Sequence, residues 1–126
     1  MADKPTILLA EDEQALRSAL SYQLESEGFT VLQARDGEEA IRIAKDRHPQ
    51  LILLDMIMPV KDGFEVLRVL KEDTELQGTP VIALTNLADA TNEKKARDQG
   101  VTDYLVKSDL DMADVVTKIR SILKLT

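Results

Sequence analysis

The stretch Leu51–Gly63, LILLDMIMPVKDG, constrains this chain more than any other. An unbroken apolar run stops at Asp55, and Pro59 and then Asp62-Gly63 follow. A run of that length reads as a strand buried on both faces, the kind found in parallel sheets with helices on either side. Pro59 bars continuation of the strand, and Asp62-Gly63 is turn or helix-start chemistry. Asp55 is therefore expected at the carboxyl end of a buried strand, at the mouth of a loop. Open α/β sheets place their ligand sites there. Taken alone, an acid in that position serves equally well as a loop cap.

The rest of the chain repeats the pattern. Thr6–Ala10 reads as a first strand, broken by Glu11-Asp12-Glu13; Leu16, Ala19, Leu20 and Leu24 then recur at helical spacing up to a stop at Gly28. Phe29–Ala34 alternates weakly, as a second strand. Asp36 with Glu39 resembles a capping box, Ala40, Ile41 and Ala44 supply a helix face, and His48-Pro49 closes it. Val66, Leu67 and Leu70 mark a third helix that ends before Gly78-Thr79-Pro80. Val81–Leu84 is a fourth strand ended by Thr85-Asn86, and Ala90–Gln99 a polar helix stopped by Gly100. Asp103–Val106 is the last strand, with Lys107 after it. Ser108 and Asp111 form a second capping-box pattern before a final helix carried by Met112, Val115, Val116, Ile119, Ile122 and Leu123. Five strand–helix repeats predict an α/β fold, a parallel sheet with helices on both faces. Right-handed crossovers leave few topologies, and strand order stays open at this point.

Composition narrows the function. A chain of 126 residues, 44% apolar and 31% charged, fits a single globular domain over 1–126, with nothing after the last helix to serve as an output domain. The absence of cysteine excludes disulfides and thiolate metal sites. The apolar runs are too short for a bilayer and MADKPT lacks a signal-peptide pattern, so a cytoplasmic location is expected. A formal charge of −7 argues against nucleic acid or an anionic membrane as direct partner. Neither GxGxxG nor GxxxxGK[ST] occurs, which removes the nucleotide cradles. His48, the only histidine, stands beside Pro49 at a helix end and reads as solvated rather than catalytic.

What remains is a set of groups at strand ends: Glu11 and Asp12 after the first strand, Asp55 after the third, Thr85 after the fourth, Lys107 after the fifth. In a parallel sheet these ends share one edge. Carboxylates converging there repel, by about 4 kcal/mol for a pair at ~4 Å and an effective dielectric of ~20. A bound cation relieves that repulsion, and hard oxygen ligands without Cys or clustered His favour Mg²⁺ or a similar ion. Carboxylates, a cation, a lysine and a hydroxyl together suit a phosphoryl group, whose oxygens need fixed positive charge.

From about Thr6 to Leu123 the chain resembles a response-regulator receiver domain of two-component signalling, similar to the single-domain chemotaxis regulators. The match rests on Glu11-Asp12, Asp55 with Pro59 and Asp62-Gly63, Thr85, Tyr104 and Lys107. The resemblance implies a flavodoxin-like sheet of order 2-1-3-4-5, which brings Asp12 and Asp55 together. It implies Asp55 as phosphoacceptor. Mg²⁺ would be held by Asp12 and Asp55, by Glu11 through water and by the Ile57 carbonyl. Lys107 and Thr85 would bind the phosphoryl group, and Thr85 with Tyr104 would form a conformational switch. The partners implied are a histidine kinase or histidine phosphotransfer protein and an unspecified downstream protein, with a monomer or a phosphorylation-dependent dimer as the unit. The usual interaction face is the fourth helix, fifth strand and fifth helix, where Arg97, Tyr104 and Arg120 are candidate contacts.

Two departures stand out. Receivers commonly carry Pro after the lysine, with a cis bond; here Ser108 follows, so the bond is either trans with a reshaped loop or cis and held by neighbours. Ile57 and Leu87 are apolar where similar receivers place polar groups that position the attacking water, which predicts slow autodephosphorylation. Three functional alternatives stay open: a phosphorylation-independent pseudo-receiver, an intermediate carrier in a phosphorelay, and an aspartyl phosphatase. The first would have lost an acid or the lysine, and the last would want an acid where Ile57 stands.

Overall fold

The computed structural model describes residues 4–86 and 90–125. Strands β1 (Thr6–Ala10), β2 (Thr30–Ala34), β3 (Leu51–Asp55), β4 (Val81–Thr85) and β5 (Asp103–Val106) alternate with helices α1 (Gln14–Ser26), α2 (Gly37–Arg47), α3 (Gly63–Glu72), α4 (Ala90–Asp98) and α5 (Met112–Ile122). The strands form one parallel sheet in the order β2-β1-β3-β4-β5. Among the described residues, no helix is long and apolar enough to cross a membrane.

β3 and β4 are buried at every position, which is why both read as continuous apolar runs. The two-residue period of a strand still sorts their side chains. Leu8, Ala10, Ile52, Leu54 and Ala83 pack on one face with Ala40, Ala44, Val66, Leu67, Leu70 and Ala96 of α2, α3 and α4. Ile7, Leu9, Leu51, Leu53, Ile82 and Leu84 pack on the other with Leu20, Leu24, Val115, Val116 and Ile119 of α1 and α5. Each of the larger side chains contributes roughly 1.5–3 kcal/mol by leaving water. This two-sided core fixes where the sheet's carboxyl edge lies.

The helix boundaries follow local chemistry. Gly28, at φ 97°, takes the left-handed turn after α1, letting the Phe29 N–H return to the Leu24 carbonyl at 3.1 Å. Asp36 accepts from the Glu39 N–H at 2.8 Å, and Glu39 reaches back to the Arg35 N–H, one residue earlier than a capping box places it. Asp62 caps α3 through the Glu65 N–H at 3.0 Å. Gly63 is required there by close approach: a Cβ would stand 2.5 Å from Met56 Cα and 2.7 Å from the Asp55 carbonyl oxygen.

Four expectations are corrected. β2 begins at Thr30, because Phe29 is occupied in closing α1. β4 runs on through Thr85, which pairs with Val106, instead of ending before it. α4 ends at Asp98, with Gln99 in the turn that leads to Gly100. Ser108 does not open α5. It lies in a single 3-10 turn, Lys107–Asp109, and Asp111 alone caps α5 by accepting from the Ala113 N–H at 2.9 Å. The Lys107–Ser108 bond is trans, the first of the two arrangements left open by the missing proline.

Candidate functional site

From β1 the chain steps outward to β2 and then crosses back past β1 to β3, so the connections lead to opposite sides between β1 and β3, and ligand sites of open α/β sheets form at such a switch point. Glu11 and Asp12 leave β1 on one side of it, and Asp55 ends β3 on the other. One carboxylate oxygen from each of these three acids lies within 4.8 Å of the others. Glu11 is fully buried and Asp55 is 2% exposed, while Asp12 faces solvent. An open cleft of about 310 Å³ is lined by Asp12, Glu13, Asp55, Ile57, Asn86 and Lys107.

Lys107 reaches into this cluster from the end of β5. Its Nζ lies 3.0 Å from Asp55 Oδ2, which it hydrogen-bonds, and 2.7 Å from Glu11 Oε1, with which it forms an ion pair. Glu13 Oε1 is further off, at 3.9 Å. The other Asp55 oxygen, Oδ1, accepts the Ile57 N–H at 3.0 Å, and Glu11 Oε2 accepts the Glu13 N–H at 2.9 Å.

The electrostatics follow from burial. Desolvation pushes the Asp55 carboxyl up to about 7; the Ile57 N–H and Lys107 pull it down, and the neighbouring Glu11 charge adds to the rise. Burial also pulls the Lys107 ammonium down, but its contacts with Glu11 and Asp55 outweigh that and leave it above the ordinary lysine value. One ammonium is thus shared among carboxylates that would otherwise be unpaired. An all-oxygen donor set of this kind, already short of positive charge, fits a hard divalent cation.

The other predicted site residues are placed as follows. Thr85 is fully buried as the last residue of β4, one position past the Asp55–Leu84 pair, and it is Asn86 that lines the cleft. Tyr104 is turned inward, packed in the core cluster that contains Ala96 and Ala83. Ile57 is 54% exposed on the rim. Leu87 lies outside the described residues. Arg97 pairs with Glu93 at 2.8 Å and with Asp103 at 3.7 Å, so it does face β5. Arg120 is corrected: it turns toward the end of α1, donating to the Glu27 carbonyl at 2.8 Å and lying 5.5 Å over the Phe29 ring. His48 is half-exposed and pairs with Glu75 at 2.9 Å, away from the cleft.

Sequence reasoning missed Arg17. It is 8% exposed on the inward face of α1, and its guanidinium donates to the main-chain carbonyls of Glu11 and Asp12 at 2.8 and 3.4 Å. A signal was present: Arg17 shares helical spacing with Leu20 and Leu24, so a charge falls on the buried stripe.

Fold and cleft together define a doubly wound α/β protein with a cation-seeking acid cluster at its switch point. The sequence profile of the response regulator receiver domain matches residues 7–120, and the chain belongs to that family, the phosphoryl-accepting domains of two-component signalling. It is 36% identical over 121 residues to the probable transcriptional regulator ycf27 of Porphyridium aerugineum, covering 96% of this chain and 49% of that protein. The chain spans about half the length of the curated relatives it matches. The receiver domain of the Francisella response regulator 1452 superposes with a TM-score of 0.90 at 26% identity, covering 96% of this chain and 98% of that one. The receiver domain of the sensor histidine kinase PA1611 of Pseudomonas aeruginosa, a structure with magnesium coordinated in its active-site cleft, gives 0.88 at 28% identity, covering 96% and 98%.

Proposed function

We propose that Asp55 is the phosphoacceptor and that the chain is a signalling switch loaded in the cytoplasm by a histidine kinase or histidine phosphotransfer protein. The observation that carries this reading is the convergence of Glu11, Asp12, Asp55 and Lys107 at one strand-end cleft. An Asp55 carboxylate oxygen attacks phosphorus, the bond from phosphorus to the donor imidazole breaks, and an acyl phosphate forms on Asp55. The imidazole leaves with the bonding pair and takes up a proton.

Glu11, Asp12 and Asp55 would hold Mg²⁺, with the Ile57 carbonyl as a further ligand. When bound, the ion neutralises the charge of the transferring oxygens. A cation held there would also favour the ionised Asp55 that the attack needs, against the burial that raises its carboxyl to about 7. Lys107, freed in part from Asp55, pairs with the incoming phosphoryl group. The Thr85 hydroxyl is the second phosphoryl contact, and Thr85 with Tyr104 forms the two-state element that carries the change to α4, β5 and α5. Ile57 and Leu87 offer no polar group to the attacking water, so the acyl phosphate should decay slowly. The chemistry is confined to the protein's own phosphorylation and dephosphorylation.

Incubation with acetyl phosphate and Mg²⁺, followed by intact mass, tests this. Wild type should gain one phosphate that persists, and Asp55→Asn should gain none. No gain in wild type would leave a pseudo-receiver; continuous turnover without accumulation would indicate a phosphatase.

A further inference from the structure

The acid cluster has a back side, and Arg17 occupies it. The guanidinium lies inside the fold against the β1–α1 loop, and its hydrogen bonds go to carbonyl oxygens. Nη1 donates to the Glu11 and Asp12 main-chain oxygens at 2.8 and 3.4 Å, and Nε to Gln33 Oε1 at 3.3 Å. Gln33, on β2, is itself fixed by donating to Ser21 Oγ of α1 at 3.0 Å. Burying a charge costs desolvation, and a leucine or methionine would fill this place beside Leu20 and Leu24 more cheaply. Among the described residues, carbonyl dipoles and not a carboxylate compensate this charge. The planar guanidinium also has a geometric consequence that a lysine lacks: with Nε held by Gln33, Nη1 is fixed in the place from which it donates to two successive peptide units.

We propose that Arg17 is the positioning residue of the acidic cleft. It holds the backbone of Glu11 and Asp12 from behind and so sets the directions along which their carboxylates converge with Asp55. Lys107 pulls on the Glu11 carboxylate from the front, at 2.7 Å, while Arg17 fixes its carbonyl from the rear. This inference rests on the cation-binding reading above and adds to it a group that touches neither ion nor phosphate. Partners that orient metal ligands from outside typically change affinity by 10–100-fold when removed.

The test is calorimetric titration with Mg²⁺ alone, on wild type, Arg17→Lys and Arg17→Met, with thermal unfolding and acetyl phosphate uptake measured beside it. Both variants should bind Mg²⁺ at least about tenfold more weakly, and their uptake rates should recover at high Mg²⁺. Wild-type affinity in Arg17→Lys would overturn the proposal, since charge without the fork would then suffice. Unchanged affinity in Arg17→Met, or a rate that excess Mg²⁺ does not recover, would also overturn it and leave Arg17 a general structural role. Should Arg17→Met fail to fold, Gln33→Leu removes the anchor of the guanidinium with less disturbance. A weaker Mg²⁺ affinity there supports the proposal and an unchanged one overturns it. Wild type that binds no Mg²⁺ defeats the functional reading itself, a result distinct from all of these.

Discussion

Two lysine–carboxylate contacts of the same length sit at the two ends of β5. Lys107 Nζ is 3.0 Å from Asp55 Oδ2, and Lys118 Nζ is 3.0 Å from Asp103 Oδ2. Asp55 nevertheless titrates upward, to about 7, whereas Asp103 is held below its ordinary value. Burial raises both acids. At Asp103 it is outweighed by Lys118, the Tyr104 N–H and Arg97, two cations around one acid that still meets solvent. At Asp55 burial is nearly complete, and the single ammonium is divided between Asp55 and Glu11. Distance does not decide what an ion pair does; desolvation and the count of charges sharing it decide.

The comparison can be broken first at Lys107. Lys107→Met strands two buried carboxylates and should destabilise the metal-free protein by about 3–5 kcal/mol, read by denaturant unfolding. Mg²⁺ should restore part of the loss. A loss below about 1 kcal/mol would place this contact with ordinary surface pairs.

Asp55→Asn acts in the opposite direction and should stabilise the metal-free protein at neutral pH by a few kcal/mol. The sign follows from proton binding. Between 3.8 and about 7 the folded protein keeps a proton on Asp55 that the unfolded chain has lost. That contribution to stability is complete below 3.8, declines as pH rises through the window, and is gone above about 7. Wild type minus Asp55→Asn, followed by melting temperature against pH without Mg²⁺, should show this slope. A flat difference would mean that Asp55 is ionised throughout.

Mg²⁺ itself should raise wild-type stability by roughly 2.7 kcal/mol at a hundredfold excess over its dissociation constant, reversed by chelator. Asp55→Asn should respond much less, and equal responses would place the ion elsewhere. The smallest effect belongs to the other end of the comparison. Lys118→Met should cost no more than about 1 kcal/mol, because both partners are partly solvated, and less in high salt. A larger loss in chemical denaturation would show that Lys118 and Asp103 act as a buried pair.

Much of this was legible in the chain. The runs at Thr6–Ala10, Leu51–Asp55 and Val81–Leu84 mark strands because burial on both faces leaves only apolar side chains. Asp36 and Asp62 announce helix starts because capping needs only neighbouring residues. Strand-end positions for Glu11, Asp12, Asp55 and Lys107 follow from where those runs stop. The errors were local competitions resolved from outside the segment: Phe29 taken by the end of α1, Ser108 drawn into the turn after Lys107, Arg120 turned toward α1 instead of α4.

By itself, then, the sequence determined the elements, their alternation and the acids that end them, since these depend on residues a few positions apart. Tertiary structure alone decided how closely Glu11, Asp12 and Asp55 approach and how deeply each is buried; that Asp55 rather than Asp103 is the acid whose proton is held; and that Arg17 lies behind the loop it orients. Each of these depends on how much water and how many charges surround a group, and only the folded chain fixes that.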